Sequence, residues 1–506
     1  MPGTNNAMWS LLTVTAIILA GTLENILPLI VGYAQTPPGM VFLGTIHHPD
    51  DYFYYLSQFT QGATRMFTTR DLYTGEAIPA SFVGWSNVLM GKIGWLLGVN
   101  AQITYGLSVI ILTILIFYAA YSISVRFVGK RTGLIALFLF VLYHAFPVLV
   151  DGKFGYHDYW NNYAAPSVRL GGVPHQLFFA LSSFLIAYFA LRYVKNHNRR
   201  WLLGIIVCAA ILASLQPVLW VLLTASLIVL GITPAFASGA GGIIPALYLS
   251  QLFKTEPFLQ LKLWEATQNN HLTLTHFLLS TGPIAVMALF ALPVLFKTKF
   301  NDAKWRFALV FPSASFLLLL SPLPHMFGLT EVRFMSALVI LCVSVIASYG
   351  LASLPRTYRV TILILLTLLL IPSHIRTVNM TTQFDPKNAY QYLTASDYRF
   401  LADAGKRGGK NDTFLLIWPY DVVFPGITGQ KSFNGHQLLT INAGQKDKES
   451  SAFFAGTMTD SAMHLFVNQA HITYVIGYNW SPKLYALPFL HQTLTSDNLV
   501  LYHVIK

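Results

Sequence analysis

Apolar runs long enough to cross a hydrocarbon core, about 20 residues each, recur through the first three quarters of the chain. Eleven are expected, at about 9–31, 103–128, 132–150, 175–194, 201–216, 218–237, 243–253, 275–296, 306–324, 334–353 and 359–372. Pro217, Pro234 and Pro245 break the stretch 201–253 and leave its division open between two, three or four pieces. After residue 372 the pattern changes. Short β-type runs at 413–419, 472–478 and 498–505 alternate with helix-like stretches at 386–405 and 449–470, the pattern of a small α/β domain. The expected fold is therefore mostly α. A polytopic transmembrane helical bundle (1–372, with outer loops 32–102 and 151–174) precedes a small extracytoplasmic α/β domain (373–506).

Composition supports this division. Hydrophobic residues make up 54% of the chain and charged residues 10%, against about 25% charged in soluble domains. The tail holds nine of the twenty acids and eleven of the thirty-two basic residues, the balance of a water-exposed domain.

Charge also sets the orientation, because Lys and Arg flanking short loops are retained in the cytoplasm. The segments 126–131, 192–200, 297–306 and 356–359 hold thirteen basic residues and one acid, Asp302, and share one face if the spans alternate. The expected protein is multi-pass in the plasma (inner) membrane, with a cytoplasmic N-terminus and an extracytoplasmic tail. The net charge of +12 is then the inward rim facing anionic lipid, and no nucleic-acid partner is needed. Cys208 and Cys342 both fall within spans, which excludes a disulfide framework and a thiolate metal site. The first apolar stretch lacks a charged leader region and a cleavage site and reads as a retained anchor.

The chemistry gathers on the outer face. The segment HHPDDYFYY (47–55) sets Asp50 and Asp51 among His48, Tyr55 and other rings just past the first span. Helical spacing puts Asp51, Tyr55 and Phe59 on one face, so this helix is expected along the membrane surface with its aromatics at headgroup level. An Asp at a helix start is also a plain N-cap. The second outer loop, DGKFGYHDYWNNY (151–163), repeats the theme with Asp158, His157 and Trp160. Carboxylates beside flat rings suit sugar or acceptor contacts, and a carboxylate serves as general base or holds a divalent cation through oxygen. An interfacial belt uses the same rings. Arg333, with His325 nearby in sequence, is the candidate for a lipid phosphate because a guanidinium offers bidentate geometry. Lys153 and Arg169 are further candidates, and snorkelling or pairing with Glu331 is the plainer role for Arg333. Glu24, in the outer third of the first span, needs a partner or a water-filled groove. It is counted with Tyr55, His48, His157 and Trp160 among the sugar or acceptor contacts.

The chain resembles the GT-C superfamily of membrane glycosyltransferases, in particular uncharacterised bacterial multispan members. The resemblance runs through PDDYFYYLSQFTQG (49–62), the stretch 74–98, ASLQPVLW (213–220), the stretch 324–351 and PGITGQKSFNGH (425–436). It departs at EVRF, where an Arg pair is usual, and at TGQ, where TGR is common. The resemblance implies transfer of a hexose or pentose from a polyprenyl-phosphate-linked donor to an acceptor outside the membrane. Asp51 would act as general base, with Asp50 beside it and Asp158 as the second-loop acid. Related enzymes work with a divalent cation (Mg or Mn, here on Asp51 and Asp158) or without one. A transporter or flippase of a lipid-linked sugar, or a non-catalytic glycan-binding scaffold, is the alternative. The absence of a visible repeat and of midplane charges disfavours the transporter. Sugar, acceptor and oligomeric state are not encoded in any motif.

Overall fold

A computed structural model describes residues 3–46, 48–150, 153–156, 173–268 and 273–505. The predicted contacts of Asp158, His157, Trp160 and Arg169 lie outside these residues, as does the side chain of Lys153. The chain packs as two units, each discontinuous in sequence: Met1–Leu27, Val109–Leu252 and Glu265–Thr381 form one; Pro28–Ser108, Phe253–Trp264 and Thr382–Lys506 form the other.

The first unit is helical apart from an antiparallel hairpin, Pro147–Val150 with Lys153–Tyr156, so the span expected over 132–150 is helical only to Leu142. Across the described residues of the chain, seven helices are long and apolar enough to cross a membrane, and three shorter apolar helices, Arg200–Leu215, Pro217–Leu227 and Ala337–Ala352, accompany them. The helical run Ala101–Leu142 leaves helical geometry at Gly129 (φ 78°, ψ 172°), inside the basic segment expected between two spans. The stretch 217–253 divides differently from expectation. Its break falls at 228–231, where Gly231 has φ 141°, and Pro245 sits inside the helix Ile232–Leu252. A proline removes only one helical bond, which packing offsets. The helix Arg356–Thr381 likewise runs through Pro372 and extends nine residues beyond the expected end of the last span.

This unit buries a polar cluster. Glu24 Oε1 lies 2.7 Å from His374 Nδ1, His374 Nε2 lies 3.2 Å from the Leu142 carbonyl, and the His144 ring packs against His374 while its Nε2 meets Thr377 Oγ1 at 2.9 Å. Glu24 thus has the partner that an ionisable group in an apolar helix requires.

The second unit is built on a five-stranded sheet. Its order is Lys431–Ser432, Thr413–Leu416, Tyr474–Tyr478, Leu499–Val504, Leu490–Thr495; the first three strands are parallel and the last two antiparallel. Three of these strands match the β-type runs in the sequence. Its core includes Leu415, Phe453, Met463, Val467 and Val475. The expected helix 449–470 is two, Ala443–Phe454 and Asp460–Gln469, separated by Gly456 in a positive-φ turn. The expected helix 386–405 begins only at Ala395, after a short strand, Tyr392–Thr394, that pairs with Met40–Phe42.

The helix Pro49–Gln61 packs between the helices Trp85–Leu96 and Tyr420–Thr428. Tyr52, Phe53 and Phe59 are buried in protein, which corrects the expectation that this helix rests its aromatics on a membrane surface. The polar side chains buried with them find partners within the protein, as buried polar groups must: Gln58 accepts from Asn87 at 2.7 Å, and Gln61 accepts from the Arg70 N–H at 2.8 Å and donates to its carbonyl at 3.0 Å.

Candidate active site

The acidic helix starts at Pro49, whose fixed φ suits the first helical position, and His48 is its N-cap with φ 37° and no side-chain capping bond. Neither aspartate is therefore the N-cap. Asp50 and Asp51 occupy the first turn, where the helix dipole favours negative charge. Their surroundings differ. Asp51 is 53% exposed at its side chain, whereas burial, with a smaller contribution from Asp51, raises the pKa of Asp50, opposed by His436 and His48.

His436 completes this arrangement from the tail. Its Nε2 is 3.5 Å from Asp51 Oδ1 and its side chain is only 6% exposed. The Leu438 N–H donates to His436 Nδ1 at 3.2 Å, which leaves the Nε2 position for the ring proton of the neutral imidazole. That Nε2 is buried and makes no close hydrogen bond, so the Asp51 carboxylate is the acceptor it faces. Tyr54 and Tyr73 flank the imidazole edge-on, with ring centroids at 5.8 and 6.0 Å. Gly435 makes the approach feasible: its φ is 152°, and a Cβ there would stand 2.6 Å from the Asp421 carbonyl.

Two further carboxylates support this shell. Burial pushes Asp71 up to about 7, against the Tyr73 backbone N–H, which donates to Asp71 Oδ1 at 2.9 Å. Burial likewise pushes Asp421 up to about 7, with Asp447 and Asp50 adding to it; the Val422 N–H donates to Oδ1 at 3.0 Å and Asn434 Nδ2 approaches Oδ2 at 3.4 Å. The Tyr73 hydroxyl donates to the Val422 carbonyl at 3.2 Å and the Thr440 hydroxyl to the Tyr73 carbonyl at 2.6 Å. The segment 71–76 is fastened to the helix Ala443–Phe454 by Lys446, which bonds Glu76 at 2.6 Å and Thr74 at 3.0 Å, and to the sheet by Lys431, which donates to the Gly75 carbonyl at 2.8 Å. A carboxylate reachable from solvent thus stands on a rigid, buried polar base.

The sequence pointed to Asp50 and Asp51 but gave no reason to join them to Asp71, Asp421 or Tyr73. The only local hints were acids in aromatic settings, DLY at 71–73 and WPYD at 418–421. His436, in NGH at 434–436, reads from the sequence first as part of a tail turn and only second as a direct catalytic contact. Tyr55 lies on the same helix, half-buried, with its ring 5.5 Å from that of Tyr54.

Arg333 and His325 belong to the first unit. Arg333 donates from Nε and Nη2 to Glu265 at 2.9 and 2.8 Å, a bidentate pair, and Glu331 instead faces His325 at 3.1 Å. The guanidinium is therefore set in the fork geometry that a phosphate would also accept. Among the described residues, no group of three or more His, Cys, Asp and Glu side chains is arranged to hold a metal ion. Asp158, the second half of the expected metal pair, is outside them.

No protein-family model and no curated sequence matches the chain. Solved structures do. The oligosaccharyltransferase AglB from Archaeoglobus fulgidus, in complex with an inhibitory peptide and a dolichol-phosphate, superposes with a TM-score of 0.57 at 12% identity, covering 94% of this chain and 70% of that one. The arabinofuranosyltransferase AftD from Mycobacteria gives 0.57 at 13% identity, covering 99% of this chain and 40% of AftD. ArnT from Cupriavidus metallidurans, bound to undecaprenyl phosphate, gives 0.51 at 12% identity, covering 99% of this chain and 98% of ArnT.

Proposed function

The chain has the fold of the GT-C membrane glycosyltransferases, and from that premise we propose that it transfers a sugar from a polyprenyl-phosphate donor to an acceptor hydroxyl at the outer face of the plasma membrane. The observation that carries this reading is the half-exposed Asp51 over the buried His436. Asp51 accepts the acceptor's hydroxyl proton as its oxygen attacks the anomeric carbon. The bond from that carbon to the phosphate oxygen breaks, the configuration inverts, and the lipid phosphate leaves with the electron pair. His436 orients the Asp51 carboxylate. Arg333 exchanges its carboxylate partner for the departing phosphate, whose charge it offsets.

The finer assignments belong to the same proposal: eleven spans, a cytoplasmic N-terminus, Asp158 as the second-loop acid, and phosphate roles for His325, Lys153 and Arg169. If a divalent cation takes part, Asp51 and Asp158 would supply oxygen ligands; no step above is routed through it. The named ligands of AglB and ArnT, dolichol-phosphate and undecaprenyl phosphate, support a polyprenyl-phosphate partner.

The test is transfer of radiolabelled sugar from a polyprenyl-phosphate donor by the purified protein in lipid. Asp51→Asn is expected to lower the rate by about 10²-fold or more, the usual contribution of a general base. Undiminished transfer would remove Asp51 from the role. Movement of intact labelled lipid across the bilayer without transfer would make the protein a transporter.

A further inference from the structure

The tail sheet reverses its strand order beside Thr413–Leu416: the chain runs from that strand to Lys431–Ser432 on one side, then crosses to Tyr474–Tyr478 on the other. In α/β sheets, ligands bind beyond the carboxyl ends of the strands at such a switch point. Here Trp418 and Tyr420 follow one strand, and Asn479 and Trp480 follow the other. The two loops meet at one edge, because Leu416 is in register with Ile476 and the Ile417 N–H donates to the Ile476 carbonyl at 3.1 Å.

The rings at this edge face solvent although the domain has a core to hide them in. Trp418 is 68% exposed and Trp480 62% exposed. Trp480 lies flat on Tyr478, centroids 4.2 Å apart and planes at 11°, and Tyr390 meets Trp418 edge-on at 6.1 Å. The edge is held rigid from beneath. Asp397, 3% exposed, accepts from Asn498 at 3.0 Å and from Ser496 at 3.4 Å, and it shares a hydrogen bond with Tyr420. The Asn479 N–H donates to the Asn498 carbonyl at 2.9 Å. One buried carboxylate thus ties together loops that carry the rim.

We propose that this rim is a saccharide-binding site for the acceptor glycan, an inference that rests on the glycosyltransferase reading for the word acceptor. Flat indoles cover the apolar C–H faces of sugar rings, and neighbouring amides, hydroxyls and carboxylates pair with sugar hydroxyls; such rigid aromatic side chains bring large contact area at low entropic cost. The rim leads toward the candidate site. Tyr390 packs against Phe53 of the acidic helix at 6.5 Å and lies in the field of Asp50 and Asp421. Tyr420 also opens the helix Tyr420–Thr428, which packs on the acidic helix. A membrane anchor would pair its rings with Lys and Arg against anionic headgroups, whereas Asn479, Asp497 and Asn498 border this rim and the nearby Lys483 is paired with Asp460 at 3.1 Å.

The experiment measures binding on the donor-free full chain in nanodiscs. Four tetrasaccharides, of glucose, mannose, N-acetylglucosamine and arabinofuranose, are titrated to millimolar concentration and followed by saturation-transfer NMR. At least one is expected to bind. Trp418→Ala and Trp480→Ala are each expected to weaken that binding by about tenfold or more, while Trp418→Phe and Trp480→Tyr keep most of it, which separates ring contact from misfolding. The proposal is overturned if none of the four binds, or if the alanine variants bind as the wild type does. Trp-dependent binding of a mixed-sequence peptide pool in place of any saccharide also overturns it, as does quenching of Trp418 and Trp480 by brominated lipid. Because no donor is present, saccharide binding without transferase activity would leave the rim in place and remove the enzymatic reading. Transfer without saccharide binding would do the reverse.

Discussion

His436 aims its Nε2 at Asp51 Oδ1 across 3.5 Å, from a side chain almost wholly buried toward one that is half-exposed. Because the Leu438 N–H occupies Nδ1, the imidazole cannot turn its other nitrogen to the carboxylate without losing a bond. The distance is long for a hydrogen bond, as contacts in ligand-free sites commonly are before substrate tightens them. His436→Ala is expected to lower kcat by about tenfold, the lower end of a charge-assisted hydrogen bond's contribution, with the donor KM little changed. His436→Gln, which keeps an N–H within similar reach, recovers part of the loss. Equal damage by both variants, or a change confined to KM, would show that His436 only fills space.

Asp71 and Asp421 make the second unit sensitive to pH. Both have folded pKa values of about 7 against an ordinary 3.8, so between those limits the folded state binds more protons than the unfolded one. Stability therefore falls as pH rises from about 4 to about 7 and levels off above. Each carboxylate contributes at most about 4 kcal/mol to that fall, from a shift of about three units. Asp71→Asn keeps an oxygen for the Tyr73 N–H and is expected to raise the unfolding temperature at pH 8 relative to wild type, with the difference closing toward pH 5. Thermal unfolding followed by fluorescence across that range checks this; parallel curves for variant and wild type would refute it.

Gly435 is where the backbone sets the imidazole in place. Gly435→Ala forces a side chain onto a φ of 152° and within 2.6 Å of the Asp421 carbonyl. The backbone strain alone is about 1–3 kcal/mol. The variant is expected to lose transfer activity and several degrees of thermal stability together, and to lose the protection of the Leu438 amide in hydrogen exchange. An unchanged Leu438 amide would mean that the turn adapts without moving His436.

How much of this was legible follows from the range of the interactions. Apolar runs and short β-type runs are local patterns, so the helices near 174–196, 200–215 and 303–320 and the strands at 413–416, 474–478 and 499–504 could be read directly. The break at Gly231 could not, because the nearby prolines each offered an interruption, yet Pro245 stays inside a helix and the chain turns at a glycine with φ 141° instead. In the site, Asp50 and Asp51 announced themselves by adjacency. Asp71, Asp421 and His436 did not, since they are 20 to 385 positions from Asp51 and only the fold joins them. The same holds for Glu265, which no spacing rule connects to Arg333. Trp418 and Trp480 look alike in sequence to the many buried rings of this chain; only the strand register puts them on one edge.

Glu265 holds Arg333 in the geometry of a bound anion. Two N–H groups meet two carboxylate oxygens at 2.9 and 2.8 Å, and the Thr330 N–H approaches the same carboxylate at 3.4 Å. A phosphate presents oxygens at similar spacing, so carboxylate and phosphate compete for one guanidinium. Glu265→Gln removes the competing charge but keeps the shape. At a guanidinium about one third exposed, an ion pair is worth about 0.2–1 kcal/mol, so the variant is expected to bind polyprenyl phosphate about 1.4- to fivefold more tightly. Arg333→Lys loses the fork and is expected to weaken the same binding. Raising the salt concentration should narrow the gap between Glu265→Gln and wild type, because screening weakens the native pair first. Titration of polyprenyl phosphate into each protein in nanodiscs measures all three. Weaker binding by Glu265→Gln would make Glu265 a support for the guanidinium, and unchanged binding by Arg333→Lys would remove Arg333 from the phosphate site.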